Sequence, residues 1–395
     1  MKKSNKIQNR DEDTGREMEA TGKKQRNAGF YTFFISGICA ISSGIVVSLL
    51  KERLGFAYGM TGTLLSLMSV GNLIAGFAAG VLPGKLGMKR TVVILTAGYA
   101  VGYLLMAVSG WLGFLMLAFF LVGIGKGSTI NTCTILVGNN AKDRTRGMNM
   151  MHSCYALGAL LCPFVVAAAA GVSGWLPMAA LALCGLILWL IFASVPMEGS
   201  QKEKAGGTDW SFLKSGRFWL LTGLLFCQNA AETSVTGWMV TYFKGSGILT
   251  GVWSVYTVTV MWLATLVARM LIAFVFPIKN KNAGTAMVWM SVGCILFYIG
   301  LVRAGTPAMA IILLFAFAFS MAGMNPTAVA NAGRMTSVTS MGVMLPAASA
   351  GAILMPWIIG IIAEHAGIAA GMASNLVPCV GLLVFSIAVK RLPQV

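Results

Sequence analysis

The chain contains 395 residues, of which 57% are apolar and 10% charged, and its mean hydropathy is +0.79. Soluble domains average about 45–50% apolar and roughly 25% charged residues, so this composition excludes a soluble enzyme. The 29 basic residues outnumber the 12 acidic ones and give a net charge of +17. Because they lie between long apolar runs, the excess charge indicates contact with lipid and not with nucleic acid.

Apolar runs long enough to cross a bilayer divide the chain into two sets of six. A bilayer core about 30 Å thick needs about 20 apolar residues per helical crossing. A polar, charged stretch separates the sixth run from the seventh. We therefore predict an all-α membrane protein with twelve transmembrane helices in two six-helix bundles. The predicted helices span 29–50, 60–82, 91–110, 112–137, 148–171, 175–196, 217–243, 248–276, 284–303, 307–332, 341–363 and 367–390.

The polar segments outside these runs set the predicted domain boundaries. Residues 1–28 are polar, mixed in charge and without an apolar core, so we predict a disordered cytoplasmic tail and no cleavable signal peptide. We predict the N-terminal bundle at 29–196, a cytoplasmic linker at 197–216 and the C-terminal bundle at 217–395.

Lysine and arginine are distributed unevenly between the two sides of the predicted bundle. With the N-terminus placed in the cytoplasm, the inner segments contain 23 basic residues and the outer loops contain four. Cytoplasmic loops of membrane proteins carry an excess of Lys and Arg. We therefore predict a multi-pass protein of the plasma (inner) membrane, with both termini cytoplasmic and the lipid bilayer around it.

The two halves of the chain are weakly related in sequence. A shift of 194 residues aligns segment 79–91 with segment 273–285, and Ala, Val, Pro, Lys and Thr coincide without a gap. Both segments form the turn after the second helix of a half, and the same shift pairs Asn131 with Asn325. Parallel six-helix halves are typical of a transporter architecture that binds its substrate near the midplane between the halves.

The sequence lacks the residue patterns of an enzyme, a metal site or a disulfide framework. Its eight cysteines lie in or at the edge of apolar runs, with no CxxC pair and no cluster of Cys and His. No phosphate-binding loop, nucleophile elbow or pair of catalytic carboxylates occurs. We predict that the protein is not an enzyme and that it uses neither a metal nor another cofactor.

The turn between the second and third predicted helices reads GVLPGKLGMKR over residues 80–90. Its glycines allow close helix approach, and its cations anchor the turn at the cytoplasmic surface. The turn resembles the signature loop of the major facilitator superfamily, although an ordinary positive-inside loop has a similar composition. Gly84 replaces the acidic residue usual in this motif, which implies a weaker charge lock on the inner gate. The candidate gating residues are Gly80, Lys85, Gly87, Lys89, Arg90 and, near the inner end of helix 8, Arg269.

Three longer segments carry more specific patterns than this turn. They read RGMNMMHSCYALGALLCP at 146–163, AETSVTGWMVTY at 231–242 and GAILMPWIIG at 351–360. They resemble the fucose:proton symporter-like branch, a group of sugar transporters within the same superfamily. The resemblance implies a twelve-helix protein, functional as a monomer, whose helices 1, 4, 7 and 10 line a central cavity, often with proton coupling.

Two ionisable residues lie near the middle of predicted membrane helices. Glu232 belongs to helix 7, and Lys126 belongs to helix 4 at about the same depth. A charge that is buried unpaired in a membrane costs about 2.5 kcal/mol or more. We expect the two side chains to face each other across the cavity, as an ion pair or as separate contacts for substrate and proton. A purely structural buried pair is the alternative, and Glu232 is the candidate proton-coupling residue.

Helix 4 has two faces that compete for the cavity. At about 100° per residue, Lys126 shares a face with Cys133, while Asn131 lies nearly opposite. The correspondence of Asn131 with Asn325 favours the second face, and the charge favours the first. The sequence leaves this choice open.

Other polar and aromatic residues are weaker candidates for contacts with a solute. Gln228 lies one turn before Glu232 on the same face, where it serves either a ligand or helix packing. Asn325 precedes Pro326 and offers an amide beside a freed backbone carbonyl. For Ser43 the simpler interpretation is helix packing, and for Trp238 it is a position at the membrane interface. The complete predicted substrate-binding set is Lys126, Asn131, Gln228, Glu232, Trp238, Asn325 and Ser43.

These features together predict a secondary active transporter that moves a small polar solute by alternating access, with a proton or another coupling ion. The resemblance favours a sugar or a sugar-derived compound, and Lys126 leaves room for an anionic one. An exporter of amphipathic compounds is the alternative within transport. A transport-inactive receptor that binds a solute is the alternative outside it.

Overall fold

The computed structural model describes residues 2–141, 144–197, 211–275, 278, 282–332 and 338–392, which form helices and turns without any strand. The first half contains α1 (Lys2–Ile41), α2 (Ser43–Leu54), α3 (Tyr58–Val81), α4 (Pro83–Leu86), α5 (Met88–Val108), α6 (Leu112–Asn140), α7 (Arg144–Ala170) and α8 (Leu176–Ser194). The second half contains α9 (Gly216–Gly245), α10 (Gly251–Met270), α11 (Ala283–Val302), α12 (Pro307–Met321), α13 (Met324–Ala332), α14 (Val338–Ala366), α15 (Ile368–Ser374) and α16 (Leu376–Arg391).

Eleven helical spans in the described part of the chain are long and apolar enough to cross a membrane. Helix α9 is not among them, although its 30 residues exceed the length that a crossing needs. Its sequence is interrupted by polar residues at Gln228, Asn229 and Glu232. Counted with α9, these spans are the twelve predicted crossings, and the all-α fold class is confirmed.

Three of the crossings consist of two helices each, namely α1 with α2, α12 with α13 and α15 with α16. The break between α12 and α13 has a direct cause in the sequence. Pro326 has no N–H, so the carbonyl oxygen of Ala322, four residues earlier, has no helical donor. Helix α12 accordingly ends at Met321, and α13 begins at Met324.

The helices of each half pack mainly on one another. In the first half, α6 packs on α3 and α5, while α1 packs on α7. In the second half, α9 packs on α14 and α16, while α12 packs on α10 and α11. The two bundles meet through the pairs α3–α14, α7–α10 and α2–α9. Because the number of crossings is even, both termini lie at one end of the molecule, here called the terminal end, opposite the distal end.

The N-terminal tail differs from the sequence expectation of disorder, because α1 begins at Lys2 and is helical throughout the tail. The tail contains no proline and many residues with high helix propensity, among them Lys, Arg, Gln and Glu. Its last part also has tertiary contacts. Gln25 donates a hydrogen bond of 2.7 Å to the carbonyl oxygen of Pro196 and accepts one of 2.9 Å from Asn140 at the end of α6.

The segment between the two bundles is described only in part. Residues 198–210 of the predicted linker lie outside the described residues, and only the short 3₁₀ turn Ser211–Lys214 precedes α9. The boundaries 29–196, 197–216 and 217–395 therefore stay predictions.

Helices α3 and α6 approach each other closely because glycines face the partner backbone. A side chain at Gly71 would collide with the carbonyl oxygen of Phe120, and a side chain at Gly123 would collide with that of Met68. Small residues at such positions allow the dispersion contacts that hold membrane helices together. This pair of helices packs closely, and α6 is held in place by its contacts with α3 together with those with α5 and α1.

This packing predicts a large effect of a single methyl-bearing side chain. We expect Gly71→Val to lower the free energy of unfolding by about 1–3 kcal/mol, because the new side chain would clash with backbone that cannot move aside. The measurement is the apparent melting temperature of the purified protein in detergent. Gly216→Val is the matched control, since a Cβ at Gly216 meets nothing within 4 Å. Equal melting temperatures for the two variants would contradict the close approach of α3 and α6.

Candidate functional site

A polar cavity lies beside α9, α10 and α12, between the middle of α9 and the terminal end of α10. It contains about 250 Å³ of empty space, which includes open solvent. Its polar and charged members belong to α9 and α10, and the remaining wall is apolar. The lining residues are Gln228, Glu232, Met261, Thr265, Arg269, Ala318, Met321 and Ala322.

Glu232 is held in the cavity wall by a chain of amide hydrogen bonds. Gln228 and Glu232 lie one turn apart on α9, where residues four apart are neighbours, and the Gln228 Nε2 donates to Glu232 Oε2. The Oε1 atom of Gln228 accepts a hydrogen bond of 3.1 Å from Asn325 Nδ2 on α13. Gln228 is buried, while Glu232 and Asn325 are half-buried. The predicted candidates Gln228, Glu232 and Asn325 therefore form one connected group.

The N-terminal bundle places one charged side chain, Lys126 on α6, near the group formed by Gln228, Glu232 and Asn325. Its ammonium group interacts electrostatically with the carboxylate of Glu232 across the bundle interface. Among the described residues, no nitrogen–oxygen distance of 4.0 Å or less joins Lys126 to Glu232. The two side chains therefore interact across the bundle interface without forming a direct ion pair.

The structure also separates the two faces of α6. Asn131 donates its side-chain amide to the carbonyl oxygen of Gly127 at 3.0 Å, within its own helix. Its Nδ2 lies 4.0 Å from where a Cβ on Gly76 would be, so Asn131 faces α3. The face of Lys126 is directed towards Glu232, and Asn131 is not brought together with Asn325.

Tyr155 on α7 is a site residue that the sequence analysis did not single out. Its hydroxyl interacts electrostatically with both Glu232 and Arg269. Its ring contacts Phe33 and Trp262 at centroid distances of 5.0 and 5.7 Å, which fix its orientation. The one sequence feature that could have indicated Tyr155 is its position inside the segment 146–163, which resembles sugar transporters.

Arg269 lies in the cavity wall together with Glu232 and Gln228. Its Nε donates to the carbonyl oxygen of Ala322 at 3.4 Å, which is the carbonyl that Pro326 leaves without a helical donor. The last turn of α10 continues into a π-helical turn at Leu271–Val275, a distortion that is common at functional sites. The sequence analysis assigned Arg269 to the inner gate, and the structure adds its position in the cavity.

Two predicted candidates are packed away from the cavity. Trp238 is fully buried, its ring contacts Tyr58, and its Nε1 donates to the carbonyl oxygen of Pro356 at 3.1 Å. Ser43 is buried at the start of α2 and donates to the carbonyl oxygen of Ala40 at 3.3 Å. Their polar groups thus bind the backbone, and the structure does not bring them together with Glu232.

The predicted gating turn is formed by the end of α3, the short helix α4 and the start of α5. Gly87 has a φ of +80°, a conformation that favours glycine. Lys89 donates to the carbonyl oxygens of Phe192, Ala193 and Val195 at the end of α8. These contacts attach the turn to its own bundle. The remaining predicted members lie in the same turn, with Gly80 in α3 and with Lys85 and Arg90 exposed.

Contacts between the two bundles close the distal end. Lys244 at the end of α9 forms an ion pair of 2.9 Å with Glu52 of α2. The backbone N–H of Gly59 on α3 donates to Glu364 Oε2 on α14 at 3.3 Å. The cavity therefore lies between a closed distal end and the terminal end.

An all-helical membrane protein with two six-helix bundles, a polar cavity in the second bundle whose carboxylate interacts with a lysine of the first, and one closed end has the architecture of an alternating-access carrier. The family model of the Major Facilitator Superfamily matches residues 29–345. The chain belongs to this superfamily, and the resemblance of its sequence motifs to the superfamily is confirmed.

Named relatives within the superfamily are transporters. The chain is 24% identical to the glucose/mannose transporter GlcP of Bacillus subtilis, in an alignment that covers 84% of this chain and 86% of that one. It is 22% identical to the probable sulfoacetate transporter SauU of Cupriavidus necator, with 54% and 55% covered, so it spans about half the length of that relative. A crystal structure of a D-xylose-proton symporter matches with a TM-score of 0.74 and 14% identity, over 94% of this chain and 98% of that one, which shows a shared fold.

The distal contacts predict a cross-link between the bundles. Cysteines introduced as Glu52→Cys and Lys244→Cys, the partners of the 2.9 Å ion pair, should react together with a short bifunctional thiol reagent. A protease site is inserted in segment 198–210 and cleaved after the reaction. On a denaturing gel the two halves then migrate separately unless the cross-link has formed. Glu52→Cys alone is the control, because the eight native cysteines are buried or half-buried. Complete separation of the halves in the double variant would contradict the closed distal end.

Proposed function

We propose that this protein is a secondary active transporter that moves a small polar solute, a sugar or a sugar-derived compound, across the membrane by alternating access. The family and its named transporter relatives support transport, and the glucose/mannose transporter supports the sugar class. The observation that carries the proposal is the polar group formed by Lys126 of one bundle with Gln228, Glu232, Arg269 and Asn325 of the other.

This group is suited to a solute that binds between the bundles. Charges inside a membrane protein are costly, and they are retained where they serve a substrate or ion pathway. The amides of Gln228 and Asn325 supply donors and acceptors for hydroxyl groups. A solute that contacts Lys126 on one bundle and Gln228 on the other bridges the two bodies whose relative movement transports it.

Glu232 is the proposed proton-coupling residue. It is the carboxylate of the cavity wall, and it lies within the electrostatic reach of Lys126 and of the Tyr155 hydroxyl. Protonation would remove its charge and change its interactions with Lys126 and with a bound solute. Proton binding and solute binding are thereby linked through one site.

We further propose that the protein works as a monomer in the plasma membrane with both termini in the cytoplasm. The excess of Lys and Arg in the segments at the terminal end supports this orientation. In this orientation the closed distal end faces outside, and the cavity lies on the cytoplasmic side of that closure. An exporter of amphipathic compounds is less well supported, because the cavity wall contains a cation, a carboxylate and an amide.

The proposed coupling predicts a specific loss. In reconstituted vesicles tested with glucose, mannose, glucuronate and sulfoacetate, we expect an inward proton gradient to accelerate uptake of a transported solute at least several-fold. Glu232→Gln should abolish this acceleration while solute exchange at equal pH continues, since the neutral side chain keeps its hydrogen-bonding shape.

The control for this experiment is Glu19→Gln, which neutralises a carboxylate whose side chain is 64% exposed in the tail. It should respond to the gradient as the unmodified protein does. Gradient-driven uptake that persists in Glu232→Gln would rule out Glu232 as the coupling residue, and the absence of any uptake or exchange by the unmodified protein would rule out transport of these solutes.

A further inference from the structure

The cavity contains more hydrogen-bond donors than the protein itself satisfies. Arg269 has five N–H donors, and within the described residues only its Nε has an acceptor, the carbonyl oxygen of Ala322. No carboxylate lies within 4.0 Å of its guanidinium among those residues. The terminal nitrogens of Arg269 are therefore available at the cavity wall to which the residue belongs.

Two neighbouring side chains add further donors. The indole Nε1 of Trp262 is buried and has no hydrogen-bond partner, and its ring is in edge contact with Tyr155. The hydroxyl of Tyr155, which interacts electrostatically with Arg269, donates to no acceptor in the described part of the structure. A buried donor such as the Trp262 Nε1 is normally satisfied. Together with the donors of the half-buried Tyr155 and Arg269, it suits this region to a ligand that supplies acceptors.

The charges of the cavity lead to the same conclusion. Lys126 and Arg269 are cations, and Glu232 is the carboxylate that interacts with Lys126. Glu232 also already accepts a hydrogen bond from Gln228. Two cations thus share one carboxylate, and the excess positive charge in a poorly polarisable environment is unfavourable unless a ligand neutralises it. A neutral sugar does not provide that neutralisation, whereas a monoanion does.

We propose that Arg269 binds the acidic group of the transported solute, and that this solute is a small organic anion with one carboxylate or sulfonate beside hydroxyl groups. The proposal rests on the proposed transport function and narrows its substrate class. The planar guanidinium donates two parallel hydrogen bonds to such a group. Lys126 contributes a second positive charge, and the amides of Gln228 and Asn325 bind the hydroxyl groups.

Pro326 acts as a positioning residue for this subsite. Because it has no N–H, the carbonyl oxygen of Ala322 is free to accept from Arg269 Nε. This bond holds one edge of the guanidinium and leaves the terminal nitrogens for the solute. The interior break between α12 and α13 thereby contributes to recognition without touching the solute.

The test is a binding measurement on the purified full-length protein in detergent, with pairs that differ in the acidic group. The pairs are glucuronate with glucose, glycerate with glycerol, and lactate with propane-1,2-diol. We expect the acid of at least one pair to bind at least tenfold more tightly than its neutral partner, measured by ligand-dependent thermal unfolding. The proposal is overturned if no acid binds more tightly than its neutral partner in any of the three pairs.

Variants assign the effect to the residue. Arg269→Gln should weaken binding of the preferred acid at least 30-fold and change binding of its neutral partner less than threefold, while Arg269→Lys should retain part of the preference. Arg303→Gln, which removes an exposed cation at the distal end of α11, should leave the preference unchanged. Acid preference that survives in Arg269→Gln would overturn the proposal.

If Arg269→Gln elutes as an aggregate on size exclusion, the same binding measurement is made on Lys126→Gln and Arg269→Lys. An acid preference that is unchanged in both variants contradicts the proposal. The outcome is separate from that of the transport experiment. Acid binding without uptake in vesicles would support the anion subsite and refute transport, whereas gradient-driven uptake of glucose without acid preference would do the reverse.

Discussion

The carboxylate of Glu232 inside a membrane helix is the constraint on which the rest of the site depends. A charge at this depth costs about 2.5–3.5 kcal/mol if it has no compensation. Gln228 and, through it, Asn325 provide that compensation by hydrogen bonds, and Lys126 provides it by charge. Because these groups belong to both bundles, the compensation is complete only when the bundles meet around the cavity.

Close backbone contacts occur both within and between the bundles. Inside the N-terminal bundle, Gly71 and Gly123 let backbones touch, and between the bundles Gly44 approaches Thr236 and Gly62 approaches Pro356 in the same way. At the distal end, an exposed ion pair between Glu52 and Lys244 joins the bundles, and such pairs contribute about 0–1 kcal/mol. A solute that binds one arrangement better than the other shifts an equilibrium between arrangements by its difference in affinity.

Much of the fold was predictable because it follows from local sequence. The twelve crossings follow from the length of apolar runs, and the pairing of Gln228 with Glu232 follows from helical spacing. The bond between Asn325 and Gln228 and the orientation of Arg269 towards the cavity depend on how separate helices rotate and pack, which no local pattern specifies. Trp238 was misleading for the same reason, since its indole N–H is used by the carbonyl oxygen of Pro356 on another helix.

The cavity lies where two of its helices depart from regular geometry. Helix α12 breaks two residues before Asn325, and α10 passes into a π-helical turn directly after Arg269 and Met270. Irregular backbone at membrane depth is tolerated where protein or a polar cavity satisfies its carbonyl groups. Arg269 satisfies the carbonyl of Ala322, so the side chain that compensates the break is also the one that presents free donors to the cavity. The irregular backbone and the proposed binding chemistry are therefore linked through one contact, between Arg269 and the carbonyl oxygen that Pro326 leaves without a helical donor.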